Sequence, residues 1–523
     1  MFRPYSQDQM LLLPPNFADF LDESHPAHII NDLVERLNLD VLLARYGDMG
    51  QPAYHPRLML KAILYGFTVG IFSSRKLQRA CQENLAFKYL AGMETPAFKT
   101  FVEFRRRHRD DMKGVFIETV KLARELGLAK LGAVALDGCK VAADTSKHKA
   151  MSYGRMLEEE KRLRQEMEGL LKQADDADAR EDDEHGPEDD GYQLKEELAR
   201  RESRLKKIEA AKAALEKRER EANPEKPVDP KKQISFADHD ARCHTKKGDG
   251  TRYVYNAQAA VDMQSQVIVE NHIEESVQDA HAAKPALENM QRDLGQLPGK
   301  LVVDAGYGNQ NTLESCKAVS VTPVCATARE GKEDKESGKL DGLAYDPKQD
   351  RFTCAHGHDF AFEHARPKDG KRTYRSLDAA ACGCGHYATA DGRSVITVLP
   401  SHLAKRELKR VMEEAGNREL YRRRKCSVEP VFGQIQTGMG FRRFFYRGRE
   451  NVRSEWNLVC AALNIKKVAT RIREAGGWAA MKARVAENDS RRTFFGQLNA
   501  QLDLLREWVR AIAASSAPSS QPI

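Results

Sequence analysis

The chain has 523 residues, 41% hydrophobic and 31% charged, with 84 Lys+Arg against 77 Asp+Glu and a net charge of +7. Such a length accommodates several domains and more than one hydrophobic core. The longest apolar run, residues 62–72, falls far short of the ~20 residues needed to cross a bilayer. No secretory signal is visible, so ten cysteines point to reduced thiols or a metal site in a cytoplasmic protein.

Residues 1–128 read as all-helical. Ile29, Ile30, Leu33, Val34 and Leu37 recur at helical spacing, and AYHPRLML opens a strongly apolar helix. Thr95-Pro96 starts a further helix, Ala97–His108, with Phe98, Phe101, Val102 and Phe104 on one side and Arg105 and Arg106 at a basic end. That pattern fits a helix-turn-helix-like DNA binder or a helical bundle with a solvated basic edge.

Leu131–Val141 (LGAVALDGCKV) reads as an apolar strand carrying Asp137. Residues 151–222 then read as an inserted antiparallel helical hairpin. Met156, Leu163 and Leu170 form one seam, and Leu194, Leu198, Leu205, Ile208 and Leu215 the other. The acidic connector between the arms, Asp175 to Asp190, holds ten Asp/Glu and a single Arg and reads as a solvated tip.

Tyr253–Asp262 (YVYNAQAAVD) and Ser265–Glu270 (SQVIVE) read as a strand hairpin. Leu301–Val303 leads into Asp304 at a sharp Asp-Ala-Gly turn, with a helix from Asn311. Residues 326–395 are rich in turns and poor in apolar residues. Cys354, Cys382, Cys384 and His386, with His356 or His358 as a substitute, are candidate ligands for one structural zinc in a zinc-ribbon-like insertion. The rival reading there is a loop with incidental Cys and His.

Tyr421–Gln436 (YRRRKCSVEPVFGQIQ) reads as a basic helix with one acid, Glu429. From Ser401 to Thr470 there are 16 Lys+Arg against 7 Glu and no Asp. A surplus larger than that of the whole chain, centred on Glu429, suits a polyanion whose phosphates displace counterions on binding. Residues 471–523 read as an amphipathic helix and a disordered tail.

Two aspartates and a glutamate from distant segments are what a two-metal phosphoryl-transfer site needs. Asp137 alone could be a turn residue, and Asp144 and Asp262 are its rivals. Glu429 could simply pair with Arg422 or Lys425.

Several stretches resemble the DDE transposases of bacterial insertion sequences that carry a Tyr–Arg–Glu–Lys signature around their glutamate. MFRPYSQDQMLLLP, AYHPRLMLKAILYGFTVGIFSSRKLQRACQEN and TPAFKTFVEFRRRH are similar to that family's N-terminal helical domain. ALDGCKVAADTSKHK, YNAQAAVD, VVDAGYGN, YRRRKCSVEPVFGQIQ and GFRRFFYRGRENVRSEWNLVCAALNIKK follow in the family's order. The resemblance covers roughly 1–150 and 234–470. It implies an α/β fold with an RNase H-like mixed sheet, and Asp137, Asp304 and Glu429 as a triad holding two Mg²⁺ (or Mn²⁺) ions. Tyr421 and Arg424 take the signature's DNA-contacting places. Gln436 stands where the family has lysine and supplies no charge, with Arg442 or Arg443 as candidates to compensate.

The implied activity is metal-dependent cleavage of DNA and transfer of the freed end. The implied partners are terminal inverted repeats, target DNA and a second copy of the chain on DNA, with no membrane. Arg422, Arg423, Lys425 and Arg447 join the expected DNA surface, with Arg105 and Arg106. The alternatives are a structure-selective nuclease and a transposase-derived DNA-binding protein. The expected division is 1–128 helical DNA-binding domain; 129–150, 234–325 and 396–470 catalytic core; 151–222 and 326–395 insertions; 471–523 C-terminal helix and tail.

Overall fold

The computed structural model describes residues 16–22, 25–47, 52–181, 190–246, 248, 250–326, 342–346, 349–367, 370–376 and 395–487. Seven helices come first: α1 Pro26–Arg36, α2 Asp40–Leu43, α3 Pro56–Thr68, α4 Ser74–Glu83, α5 Leu85–Leu90, α6 Phe98–Arg107 and α7 Met112–Glu125. Proline at the first turn, where no intrahelical N–H partner is needed, starts α1 and α3. In each, a histidine Nδ1 before the proline accepts an N–H of the first turn, His25 from Ala27 and His55 from Arg57.

The central sheet is mixed. Its strands are β1 Ala133–Ala142, β4 Arg242–Lys246, β5 Gly250–Asp262, β6 Ile268–Glu274, β7 Lys300–Val303 and β8 Thr322–Cys325. The order is β4-β5-β1-β7-β8, with β6 also on β5. β1 runs antiparallel to β5 and parallel to β7, and β7 runs parallel to β8. Every residue of β5 from Tyr253 to Asp262 is buried, the amides Asn256 and Gln258 included.

The β5–β6 connection is organised by Asp262. Its Oδ1 accepts the Gln264 and Ser265 N–H groups, and its Oδ2 accepts those of Lys130 and Leu131. This rival of Asp137 is therefore a turn residue. The hairpin partner begins at Ile268, three residues later than the alternation predicts, and β4 has no counterpart in the sequence reading.

Between β6 and β8 lie α10 Ala283–Leu294 and α11 Gln310–Ala318. After β13 come α12 Pro400–Glu413, α13 Asn417–Gly433, the long α14 Arg449–Ala475 and a helical stretch over 478–487, and residues 488–523 of the expected tail lie outside the described residues. α14 is buried along most of its length and packs on α1, α3, α7 and β6. The N-terminal helices, the sheet and α14 thus share one continuous core, with Phe67, Phe87, Phe101, Phe116, Phe441, Phe444 and Trp456 among its largest side chains.

Two insertions carry cores of their own. After β1 and the short β2 Ala150–Ser152 come α8 Tyr153–Glu181 and α9 Asp190–Ala222, then β3 Gln233–Ser235, which pairs with β2. Met156, Leu163, Ile208, Ala211, Leu215 and Ile234 close the base of the hairpin. Ion pairs cross between the arms, among them Arg201–Glu166 at 3.0 Å and Lys212–Glu160 at 2.6 Å. Residues 182–189 of the acidic connector lie outside the described residues.

The second insertion is a five-stranded antiparallel sheet in the order β13-β12-β11-β10-β9. Its strands are β9 Leu343–Asp346, β10 Arg351–Cys354, β11 Asp359–Ala365, β12 Arg372–Ser376 and β13 Val395–Val398. Here the sequence reading needs correction. Leu343, Phe352, Phe360 and Tyr374 form a core together with Ile396 and Val398, so the sheet runs past residue 395 to the end of β13. Asp350 is hydrogen-bonded by the Tyr345 and Tyr374 phenols, each at 2.8 Å.

The zinc expectation finds no support. Cys354 is buried at the end of β10, and its sulfur accepts the His358 N–H at 3.4 Å. Cys382, Cys384 and His386 lie outside the described residues. Among the described residues no helix is long and apolar enough to cross a membrane.

Candidate active site

The three acids come from two adjacent inner strands and one helix, with Asp137 in the middle of β1 and Asp304 just past the end of β7. The β1–β7 ladder pairs Ala135 with Val302. Two residues further along both strands stand Asp137 and Asp304. Partners in a parallel register point to the same face, and neighbouring strands lie ~4.8 Å apart. Asp304 follows the last residue of β7 in extended backbone and caps the short helical turn Ala305–Tyr307, its Oδ1 accepting the Gly306 N–H at 2.8 Å. The apolar triplet before it buries the strand, and the turn after it ends the strand and presents the carboxylate.

α13 lies across this face, against β1, β5, β7 and β8. Val428 and Val431 anchor it in the core, and Lys300 Nζ bonds Asn417 Oδ1 at 2.6 Å near its start. Glu429 sits late in this helix, more than half exposed, and is followed by Pro430. Proline has no N–H to give the carbonyl four residues back. The Gln266 side chain supplies that missing donor, bonding the Cys426 carbonyl at 3.0 Å. A π-helical turn, Gln434–Gly438, continues the helix; such turns recur at functional sites.

The guanidinium of Arg424 ties the helix to the strand. Its Nη1 lies 2.9 Å from Asp137 Oδ2, and its Nη2 lies 4.0 Å from Glu429 Oε1. Burial raises the Asp137 carboxyl above its ordinary range, Arg424 and the Gly138 N–H oppose the rise, and Asp304 adds to it. The two aspartates therefore repel each other across the ladder, and a positive group already stands beside one of them.

The donor set consists of carboxylate oxygens, which suits a hard divalent cation, and a cation shared by Asp137 and Asp304 would relieve their repulsion. Arg424 stands between Asp137 and Glu429. Among the described residues no group of three or more His, Cys, Asp or Glu is gathered to hold one ion. The aspartate pair fits a metal; Glu429 is held beside it through the arginine.

The expected DNA-facing residues divide into two sets. Arg422, Arg423, Lys425 and Arg442 are exposed. The rest are paired or packed within the protein, although Arg443, Arg447 and Arg106 keep exposed surface. Arg424 is buried on Asp137. Arg443 and Arg447 both pair with Asp144, the latter at 3.0 Å, so this second rival of Asp137 anchors the loop before α14 to the end of β1. Gln436 Nε2 meets Cys139 Sγ at 2.6 Å. Cys139 is two residues after Asp137 and on the same face of β1. Tyr421 is partly buried, and burial raises its phenol above the ordinary range.

Arg105 is a correction. It is buried, donates to Ser74 Oγ at 2.7 Å and to the Phe72 carbonyl, and lies over the Tyr446 ring. It joins α6 to the final segment and has no free face for a phosphate. Arg106 is exposed and paired with Glu103 at 2.8 Å.

Sequence reasoning missed the Arg424–Asp137 pair, the Gln436–Cys139 contact and a buried polar set beneath Gly138. The only local signal for the last was two amides, Asn256 and Gln258, inside an otherwise apolar strand.

Two families match this chain. Residues 15–107 match one described as a transposase domain (DUF772), and residues 230–465 match one described as a transposase DDE domain. No curated protein matches it.

Proposed function

We propose that this chain, which belongs to the DDE transposases of insertion sequences, cuts DNA at its element's ends and joins the freed ends to target DNA, with Asp137, Asp304 and Glu429 as its catalytic carboxylates. One observation carries the reading. The β1–β7 register ends two residues before both aspartates, Asp304 is near enough to act on the Asp137 carboxyl, and Arg424 ties Asp137 to the helix of Glu429. Segments 167 and 125 residues apart in the chain meet where the Glu429 helix crosses the inner strands β1 and β7.

In this reading the sheet is an RNase H-like core built from 129–150, 234–325 and 396–470, with residues 1–128 as a DNA-binding helical part and 151–222 and 326–395 as insertions. Asp137 and Asp304 would hold Mg²⁺ or Mn²⁺, with Glu429 completing the set. Two such ions, when bound, activate the attacking water or 3′-hydroxyl and stabilise the leaving oxygen. Arg422, Arg423, Lys425 and Arg442 bind DNA phosphates and orient the scissile strand. Arg424 opposes the rise that burial imposes on the Asp137 carboxyl. Gln436 adds a neutral hydrogen-bond donor where a lysine would add charge. Two ends are joined by two sites, so the DNA complex contains two copies of the chain.

The test is cleavage and joining of the element's own ends by purified protein with Mg²⁺. Asp137→Ala, Asp304→Ala and Glu429→Ala should each abolish both steps while DNA binding persists. Cleavage retained by Asp304→Ala would sink the assignment. Cleavage without joining would make the protein a nuclease, and binding without cleavage a DNA-binding derivative.

A further inference from the structure

Strand β5 carries two buried amides where an apolar run is the rule, Asn256 and Gln258. The ladder sets them opposite Lys140 and Gly138 of β1. Gln258 Nε2 donates to Asp279 Oδ1 at 2.7 Å and to Asn256 Oδ1 at 2.9 Å. Asn256 Nδ2 donates to Asp279 Oδ1 at 2.9 Å. Lys140 Nζ meets both Asp279 oxygens, at 2.8 and 3.0 Å, and Asn256 Oδ1 at 3.0 Å. The remaining acceptor of the amide, Gln258 Oε1, takes the phenol hydrogen of fully buried Tyr307 at 2.6 Å.

Two positions connect this network to the carboxylates. Tyr307 closes the helical turn that Asp304 caps. Gly138 directly follows Asp137, and a Cβ there would lie 2.1 Å from Gln258 Nε2 and 2.7 Å from Asp279 Oδ1. The network fills the space that the glycine leaves. With both Nε2 hydrogens donated and Oε1 accepting, the Gln258 amide has one orientation. A buried polar set of this kind adds little net stability over apolar packing. What it does supply is a fixed geometry.

We propose that Tyr307, Gln258, Asp279 and Lys140 are positioning residues that hold the Asp304 turn in register with Asp137. The inference rests on the reading that these two aspartates act together. Supporting partners behind metal-ligating carboxylates typically change affinity or activity by 10–100-fold.

The experiment measures Mn²⁺ binding and DNA-cleavage kinetics for the wild type, Asp304→Ala, Tyr307→Phe, Gln258→Leu and the double variant. Tyr307→Phe removes one oxygen and keeps the ring, so the fold is retained. Tyr307→Phe and Gln258→Leu should each weaken Mn²⁺ binding and lower kcat by about 10-fold, with KM for DNA unchanged. The double variant should be no worse than the stronger single, because both remove the same bond. Wild-type Mn²⁺ affinity and kcat in Tyr307→Phe would overturn the inference. So would fully additive losses, or losses that vanish when the assay is cooled in step with a lowered Tm. Asp304→Ala separates the two levels. If it keeps Mn²⁺ binding and cleavage, the active-site reading is wrong. If it loses both while Tyr307→Phe loses neither, only the brace is wrong.

Discussion

The mixed sheet and the five-stranded insertion are both β structures with aromatic cores, but they are stabilised on different scales. The mixed sheet shares its core with the N-terminal helices and with α14, so Trp456 touches Phe441 and Phe444 and donates to the Gln258 carbonyl at 2.9 Å. The insertion packs around Phe352, Phe360 and Tyr374, with Phe352 and Tyr374 ring centroids 4.9 Å apart, and meets α12 through Leu403 and Arg406. The helical hairpin repeats the second solution, with a six-residue core at its base. Chemistry is placed on the shared core, where residues from distant segments cannot shift independently. The additions carry separate cores, and the five-stranded one reaches the mixed sheet through α12.

The largest effect expected from this contrast comes from truncating one anchor in each region. Trp456→Ala and Phe352→Ala should each cost about 3–5 kcal/mol in their own unit. The first should lower the main unfolding transition and abolish cleavage. The second should leave the main transition and cleavage in place. A common transition shifted equally by both, followed by calorimetry, would break the distinction.

Next is charge. Removing Arg422, Arg423 and Lys425 together should flatten the dependence of log K for DNA on log salt by about 2–3 units of slope, near 0.9 for each phosphate that is no longer neutralised. The same number of charge removals on the exposed face of the hairpin, at Arg162, Arg164 and Arg200, should leave the slope alone. Equal slopes in both variants would reduce the helix to a solvated basic face.

A smaller effect is predicted from Glu455, buried on α14 and accepting the Phe445 and Tyr446 N–H groups. Burial raises its carboxyl from 4.5 to about 7. The folded state therefore holds this proton more tightly than the unfolded state. Its contribution is fully present below the unfolded value and is lost as pH rises through the folded one, by up to ~1.4 kcal/mol per unit. Glu455→Gln should flatten Tm against pH between those two values. A wild-type slope in that variant would count against the assignment.

The smallest effect is expected at the hairpin tip. Replacing Asp175 to Asp190 by a short turn should leave DNA cleavage within about twofold of wild type, since surface changes away from packed groups rarely matter. A severe loss in the folded deletion variant would make the hairpin part of the active site.

Much of this molecule was legible without coordinates. The apolar strands around Asp137 and Asp304, the basic helix of Glu429 and the hairpin between 151 and 222 are local patterns, written in residues a few positions apart. Hydrophobic alternation and helical spacing report such patterns directly. The order of the three acids came from the resemblance, since each acid alone reads as a turn or an ion-pair residue.

Other features were decided only by tertiary structure. Arg105 looked like a basic surface and is buried on Tyr446. Arg424 stands in the signature's place for a DNA contact, and in the fold it points inward to Asp137. Asp144 and Asp262 looked like rivals of Asp137, and the fold uses them to hold a loop and a turn. The Cys/His segment looked incapable of a core because its apolar residues are sparse along the chain, yet five antiparallel strands bring them onto one face. Each miss has the same cause. A side chain's role depends on what packs against it, and apart from the Asp262 turn, whose Gln264 and Ser265 donors are local, these partners lie tens to hundreds of positions away, where no periodicity in the chain can record them.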